Sequence, residues 1–122
     1  MAIQTISESN FILNIPDSTE TPESILQYIS ANIHAWHDKN TLWDVSSIDF
    51  RHISSEAIKS FTEKIGPVTK VRQGLKTAFV VDSDLAFGMI RMLQTLYNDK
   101  ISIKVQIFKN KNDAAIWLNS QS

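Results

Sequence analysis

The side chains in this sequence that could do chemistry are few, and each pattern lacks a member. His34 and His37 stand three apart, so on a helix they share a face and could share a metal ion, but no third ligand lies at a matching spacing. A histidine in the last turn of a helix is favoured by the dipole in any case, which accounts for His37. His52 has serines and threonines nearby but no cysteine and no Ser–Asp relay, so no triad can be assembled around it. Asp17 and Ser18, Ser46 and Ser47, and Asp82, Ser83 and Asp84 each follow a stretch that reads as a strand. In an open parallel sheet, ligands sit outside the carboxyl ends of the strands, near a switch in strand order. An acidic cluster there could hold Mg²⁺, as in phosphoacceptor receivers, but that site needs paired acids and a later lysine. Asp17 is a lone acid and Lys109 a weak match, while Asp82 and Asp84 are explained as helix N-cap residues. The absence of cysteine excludes disulfides, thiolate zinc sites and thiol catalysis. Neither metal nor cofactor is expected, and the residues favour binding over catalysis.

Two further features have competing explanations. Gly88 stands inside a helical pattern, where glycine costs about 0.8–1.0 kcal/mol relative to alanine. Either it allows close packing on a sheet, or it opens space for an apolar ligand beside Phe87, Met89 and Met92, with Asp82 and Ser83 at the head of the same helix. The basic run Lys70-Val71-Arg72-Gln73-Gly74-Leu75-Lys76 could touch phosphate or an acidic partner. It lacks the interleaved aromatics of a single-strand nucleic-acid platform and reads as a solvated loop.

The elements that position these residues follow from periodicity. Residues 2–7 and 11–15 are short apolar runs separated by Ser-Glu-Ser-Asn, a hairpin signal. Thr21 and Pro22 suit the N-cap and first position of a helix carrying Ile25, Ile29, Ile33 and Trp36 on one face, ending near residues 38–40. Residues 42–46 form the next strand. A helix with Ile58, Phe61 and Ile65 as its stripe stops at Gly66-Pro67, and a connector runs to Gly74. Residues 76–81 are a continuous apolar run, expected of a central strand covered on both faces. Asp82-Ser83-Asp84 opens a third helix whose wide apolar face is Leu85 or Ala86, Met89, Ile90, Leu93, Leu96 and Tyr97. Ile101, Ile103, Val105 and Ile107 alternate with polar residues, as in a strand nearer an edge. A last short helix starts at Asn112 or Asp113 and buries Ala114, Ile116 or Trp117, and Leu118. The order β-β-α-β-α-β-α-β-α implies right-handed crossovers and an α/β fold with a mainly parallel five-stranded sheet.

At 122 residues, 43% hydrophobic and 20% charged, the chain fits one globular domain, 1–122. Twelve basic residues against thirteen acidic give a net charge of −1, which draws it to neither nucleic acid nor acidic membranes. The charge is uneven: residues 1–58 hold two basic and eight acidic side chains, residues 59–122 ten and five. No signal-peptide pattern opens the sequence and no run is long enough to span a bilayer, so membrane insertion is not expected and a cytoplasmic location is.

Three segments, Thr41-Leu42-Trp43-Asp44-Val45, Lys76-Thr77-Ala78-Phe79-Val80-Val81, and Val105-Gln106-Ile107-Phe108 leading into Ala114-Ala115-Ile116-Trp117-Leu118, resemble the SpoIIAA-like family of STAS domains (sulphate transporter and anti-sigma-factor antagonist). Phe87-Gly88-Met89-Ile90-Arg91-Met92 resembles the helix after that family's central strand. The resemblance covers nearly the whole chain in order and length. It implies a regulatory protein-interaction module, whose phosphorylated serine in anti-sigma antagonists opens the helix after the third strand in an Asp-Ser-Ser-Gly context. The corresponding place reads His52-Ile53-Ser54-Ser55-Glu56. Ile53 replaces the Asp and Glu56 the Gly, so phosphate here would meet a second negative group. Two readings stand. One is a module that docks an unknown protein partner through Ser54, Ser55, Glu56, Ser46 and Ser47. The other is a carrier of a small apolar, lipid-like ligand between helices and sheet, for the fold class also resembles the CRAL-TRIO lipid-transfer domains. The edge strand 101–107 further allows a homodimer.

Overall fold

A computed structural model describes residues 3–98 and 103–120. Its elements are β1 (Ile3–Ser7), β2 (Phe11–Pro16), α1 (Pro22–Asn32), β3 (Asn40–Asp44), α2 (Ser55–Val68), β4 (Lys76–Val80), α3 (Asp84–Asn98), β5 (Lys104–Phe108) and α4 (Lys111–Leu118). Short 3₁₀ turns follow α1 at Ile33–Trp36, precede α2 at Phe50–His52 and follow it at Thr69–Arg72. The fold is α/β: a five-stranded mixed sheet in the order β1-β2-β3-β4-β5, with β1 and β2 antiparallel and the other pairs parallel.

The sequential order has a direct consequence. Each strand is added on the same side of the last, so right-handed crossovers place α1, α2 and α3 on one face. Their core includes Ile12, Trp43, Val45, Val105 and, partly buried, Phe79 and Ile107. The other face, Leu13, Leu42, Ala78 and Val80, is covered by Ala114, Leu118 and Trp117 of α4. Alternation along the strands sorts the two sets, as the 2-residue period of a pleated strand requires. Among the described strands the order never reverses, so they hold no switch in strand order of the kind expected to locate a ligand. The nearest equivalent lies between β4 and β5, whose following helices depart to opposite faces.

The expected hairpin, the Thr21 cap and Pro22 at the helix start, the doubly covered β4 and the wetter β5, with Lys104 and Gln106 exposed, are all present. Ile101 and Ser102 lie outside the described residues. Gly66-Pro67 does not end α2, which continues to Val68 and passes into a 3₁₀ turn. A proline this close to the C-terminus removes only its own N–H bond, and the Thr69 hydroxyl donates to the carbonyls of Ile65 and Gly66. The last helix starts one residue earlier than expected, with Asn110 as its cap. Ile116 there is 69% exposed, and Trp117 is the residue that packs, against Phe108.

Candidate functional site

An apolar cavity of about 70 Å³ lies between the sheet and α1, α2 and α3. That is roughly five times the ~10–15 Å³ a single water needs. Its walls are side chains that periodicity assigns to the core, Ile25, Ile29, Ile33 and Trp36 of the first helical segment and Ile58, Phe61 and Ile65 of α2. The strand residues on its floor are Thr41, Trp43, Thr77, Phe79 and Val105. Ile12, Thr41, Thr77 and Val105 stand in register on this face, and the two central positions are short hydroxyl side chains bonded to each other at 3.0 Å.

The two ends differ. At the end of Thr41, Thr69, Arg72, Thr77 and Tyr97 every lining side chain is buried, whereas Thr21, Pro22, Ile25, Ile53 and Phe61 are partly or fully exposed. The mouth therefore lies near the carboxyl ends of the strands, between the starts of α1 and α2.

Arg72 holds the closed end. Only 4% exposed, it donates from Nε and Nη2 to the Lys39 carbonyl (3.3 and 2.9 Å), from Nη2 to the Lys76 carbonyl (3.2 Å) and from Nη1 to the Thr77 hydroxyl (3.1 Å). Among the described residues no carboxylate pairs with it. Burial pushes its pKa down to about 10, which leaves it charged at neutral pH. Burial also pushes the Tyr97 hydroxyl well above its usual range, against the opposing effects of Arg72 and a hydrogen bond with Thr69. The expectation of a solvated basic loop is thus wrong for Arg72, and for Lys76, which is 5% exposed. Lys76 Nζ donates to the Trp117 and Ser120 carbonyls (2.9 and 2.8 Å) at the end of α4. Cations here serve backbone carbonyls inside the fold, at places where helices and strands end.

Glu20 stands at the mouth, 6% exposed. Its Oε1 accepts from the Ser24 hydroxyl at 3.0 Å, and its Oε2 is buried without a partner. Residue type and spacing alone mark out neither Glu20 nor Arg72 as special. The signal available for Glu20 is an acid directly before a Thr-Pro helix start, which reads equally as a favourable dipole contact.

The residues expected to act are scattered. Ser54 caps α2, its Oγ accepting from Ala57 N–H at 3.0 Å, and Ser55 and Glu56 are exposed beside it. Ser46 is tied into a turn by Asp44, which accepts from its N–H (3.1 Å) and hydroxyl (2.6 Å), and Ser47 is exposed. Asp44 is itself buried and faces Lys111 at 3.4 Å. Asp82, Ser83 and Asp84 line an open crevice with Lys109 beyond β4, where Ser83 Oγ accepts from Ala86 N–H and so caps α3. Gly88 contradicts the close-packing explanation: it is exposed, and a Cβ there would meet nothing within 4 Å. Phe87, Met89 and Met92 are half-buried against the main core, while the α3 residues on the cavity are Ile90, Leu93 and Tyr97. The exposed His52 faces Asp49 at 3.5 Å, and Arg51 donates to the same carboxylate from Nε and Nη2, holding it well below the usual carboxylate range. His37 Nδ1 contacts the His34 carbonyl, and no group of three metal-ligating side chains is found among the described residues. No described helix is long and apolar enough to cross a membrane.

No family model, curated protein or solved structure matches this chain at a significant level.

Proposed function

We propose that this chain is a non-catalytic binding domain of SpoIIAA-like STAS arrangement that holds a small apolar molecule in the cavity beneath α1 and α2. The observation that carries the reading is the cavity itself: apolar walls, a mouth at the strand carboxyl ends and a few polar groups at its two ends, the composition of a ligand site. Its size restricts the occupant to a short alkyl chain or a single ring in the present conformation. The space near Gly88, the location that the sequence suggests for such a ligand, gives way to one between α1 and α2.

The test is a titration of labelled protein with toluene, following indole and isoleucine methyl signals. Saturable shifts of Trp36, Trp43, Ile29 and Ile58 are expected, with Trp117, on the opposite face, unmoved. Narrowing the mouth with Ile25→Trp should weaken them. Shifts absent up to the solubility limit, or spread evenly over both faces, would sink the reading.

A regulatory partner module is the second reading, favoured by the placement of Ser54, Ser55 and Glu56. These residues are exposed at the start of α2, while Ile53, Ile58 and Phe61 around them line the cavity, so a ligand and a partner would bear on the same helix. The two readings are compatible, ligand occupancy altering the surface a protein partner meets. Mass spectrometry of the protein from its native cells tests the phosphoswitch. Ser54 and Ser55 unmodified under all growth conditions would end that version.

A further inference from the structure

We propose that the occupant of the cavity is a small apolar amine, its ammonium group on Glu20 at the mouth and its apolar body beneath α1 and α2. This rests on the cavity being a ligand site and names the class of ligand.

Glu20 carries an unmet acceptor. It lines the mouth and is almost wholly buried, yet Oε2 has no donor. A buried acceptor without a partner is costly, and more so on a charged group. The local donors that would ordinarily reach it are engaged elsewhere. Thr21 N–H donates to Ser24 Oγ at 2.8 Å and Ser24 N–H to Thr21 Oγ1 at 3.1 Å, a reciprocal capping box that closes the start of α1 on itself. The Ser24 hydroxyl lies within reach of Oε1 and of the Thr21 carbonyl, and not of Oε2. Among the described residues no lysine, arginine or histidine pairs with Glu20. Its surroundings at the mouth, Pro22, Ile25, Ile53 and Phe61, are apolar.

What fits is a group that brings both a donor and a positive charge, on a body that matches those walls. An alcohol supplies the donor alone. An ammonium supplies both, and a charge-assisted hydrogen bond is about twice as strong as a neutral one. A carboxylic acid is disfavoured at the mouth by charge and gains little at the closed end. Arg72 there already makes four hydrogen bonds to protein acceptors out of a guanidinium's five N–H donors, so no free fork remains for a second carboxylate.

Three ligands on one skeleton, benzylamine, benzyl alcohol and benzoate, distinguish the classes when titrated separately at neutral pH against the Trp36 and Trp43 indole signals, with Trp117 as internal control. Benzylamine should bind about tenfold more tightly than the alcohol, and benzoate most weakly. Glu20→Gln should weaken the amine about tenfold and leave the alcohol within about twofold, since the amide oxygen still accepts. Alcohol binding as tight as amine, or amine binding unchanged in Glu20→Gln, would overturn the assignment while leaving the cavity a ligand site. No saturable shift from any of the three would remove the ligand site and the assignment with it. Should Glu20→Gln not fold, the ranking of the three ligands on the unaltered protein still separates amine from alcohol and acid.

Discussion

A methyl group added at position 88 would point into open space on the outer side of α3. Glycine there gives the helix no packing advantage and keeps its full entropic cost, so Gly88→Ala should raise stability by about 0.5–1 kcal/mol, read as a higher urea midpoint with unchanged slope. Gly74 is the contrasting case. Its φ of +85° is one that side chains resist, and it turns the chain from the 3₁₀ segment into β4, so Gly74→Ala should cost about 1 kcal/mol or more although no atom stands in the way. Tyr97 gives the residue scale a pH signature. Its hydroxyl titrates above the value of 10.0 it has when unfolded, so above that pH the unfolded chain loses a proton the native state keeps. The native state then binds more protons, and stability must fall as pH rises, by up to about 1.4 kcal/mol per unit from this group. Urea titrations across that range should show a shallower decline for Tyr97→Phe than for the parent protein. An equal decline would mean that Tyr97 ionises as freely in the native state as in the unfolded chain.

Helix starts dominate the next scale. α1, α2, α3 and α4 each begin with a side-chain oxygen accepting from a backbone N–H, from Thr21, Ser54, Ser83 and Asn110 in turn. These hydroxyl and amide side chains satisfy the first-turn donors that every helix leaves open, while Asp17 and Asp44 at the strand carboxyl ends accept from the N–H groups of Thr19 and Ser46 in turns. Ser54→Ala should therefore cost about 1 kcal/mol in thermal or urea unfolding, whereas Ser54→Asp should be nearly neutral, because a carboxylate caps equally well and suits the dipole. A large loss in Ser54→Asp would show that negative charge is rejected there, with Glu56 as the neighbour responsible. The same economy of polar groups bears on self-association. The Gln94 side chain donates to the Val105 carbonyl on β5, so part of the strand proposed for pairing across a dimer is already occupied by α3.

The molecule as a whole is asymmetric about its sheet. Among the described residues three helices cover one face and the eight residues of α4 cover the other, so that face depends on how firmly α4 is held. Lys76 is the tie: from the start of β4 its ammonium reaches the carbonyls of Trp117 and Ser120 and lies 5.2 Å from the Trp117 ring centroid. Lys76→Met keeps the length and removes the donors. It should destabilise the protein by about 2 kcal/mol and increase dye binding to exposed apolar surface, as Leu13, Leu42 and Ala78 lose their cover. Unchanged stability would mean that α4 is held by its apolar contacts alone. The cavity belongs to the thicker side, where three helices must meet one sheet.

By itself the sequence determined what periodicity and local chemistry control: the order of strands and helices, the hairpin, the Thr21 cap, the doubly buried β4 and the wetter β5. Those features depend on neighbours a few residues apart, so they are written in the local pattern. Only the tertiary structure decided the rest. The direction in which each strand is added put three helices on one face and removed the expected switch point. Long-range contacts turned Arg72 and Lys76, by type solvent residues, into buried donors for carbonyls up to 44 positions away. Glu20 became conspicuous only because folding buried one oxygen of a carboxylate whose nearest donors were already committed to each other. Burial and unmet hydrogen bonds are properties of surroundings, and those surroundings come from parts of the chain far removed in sequence.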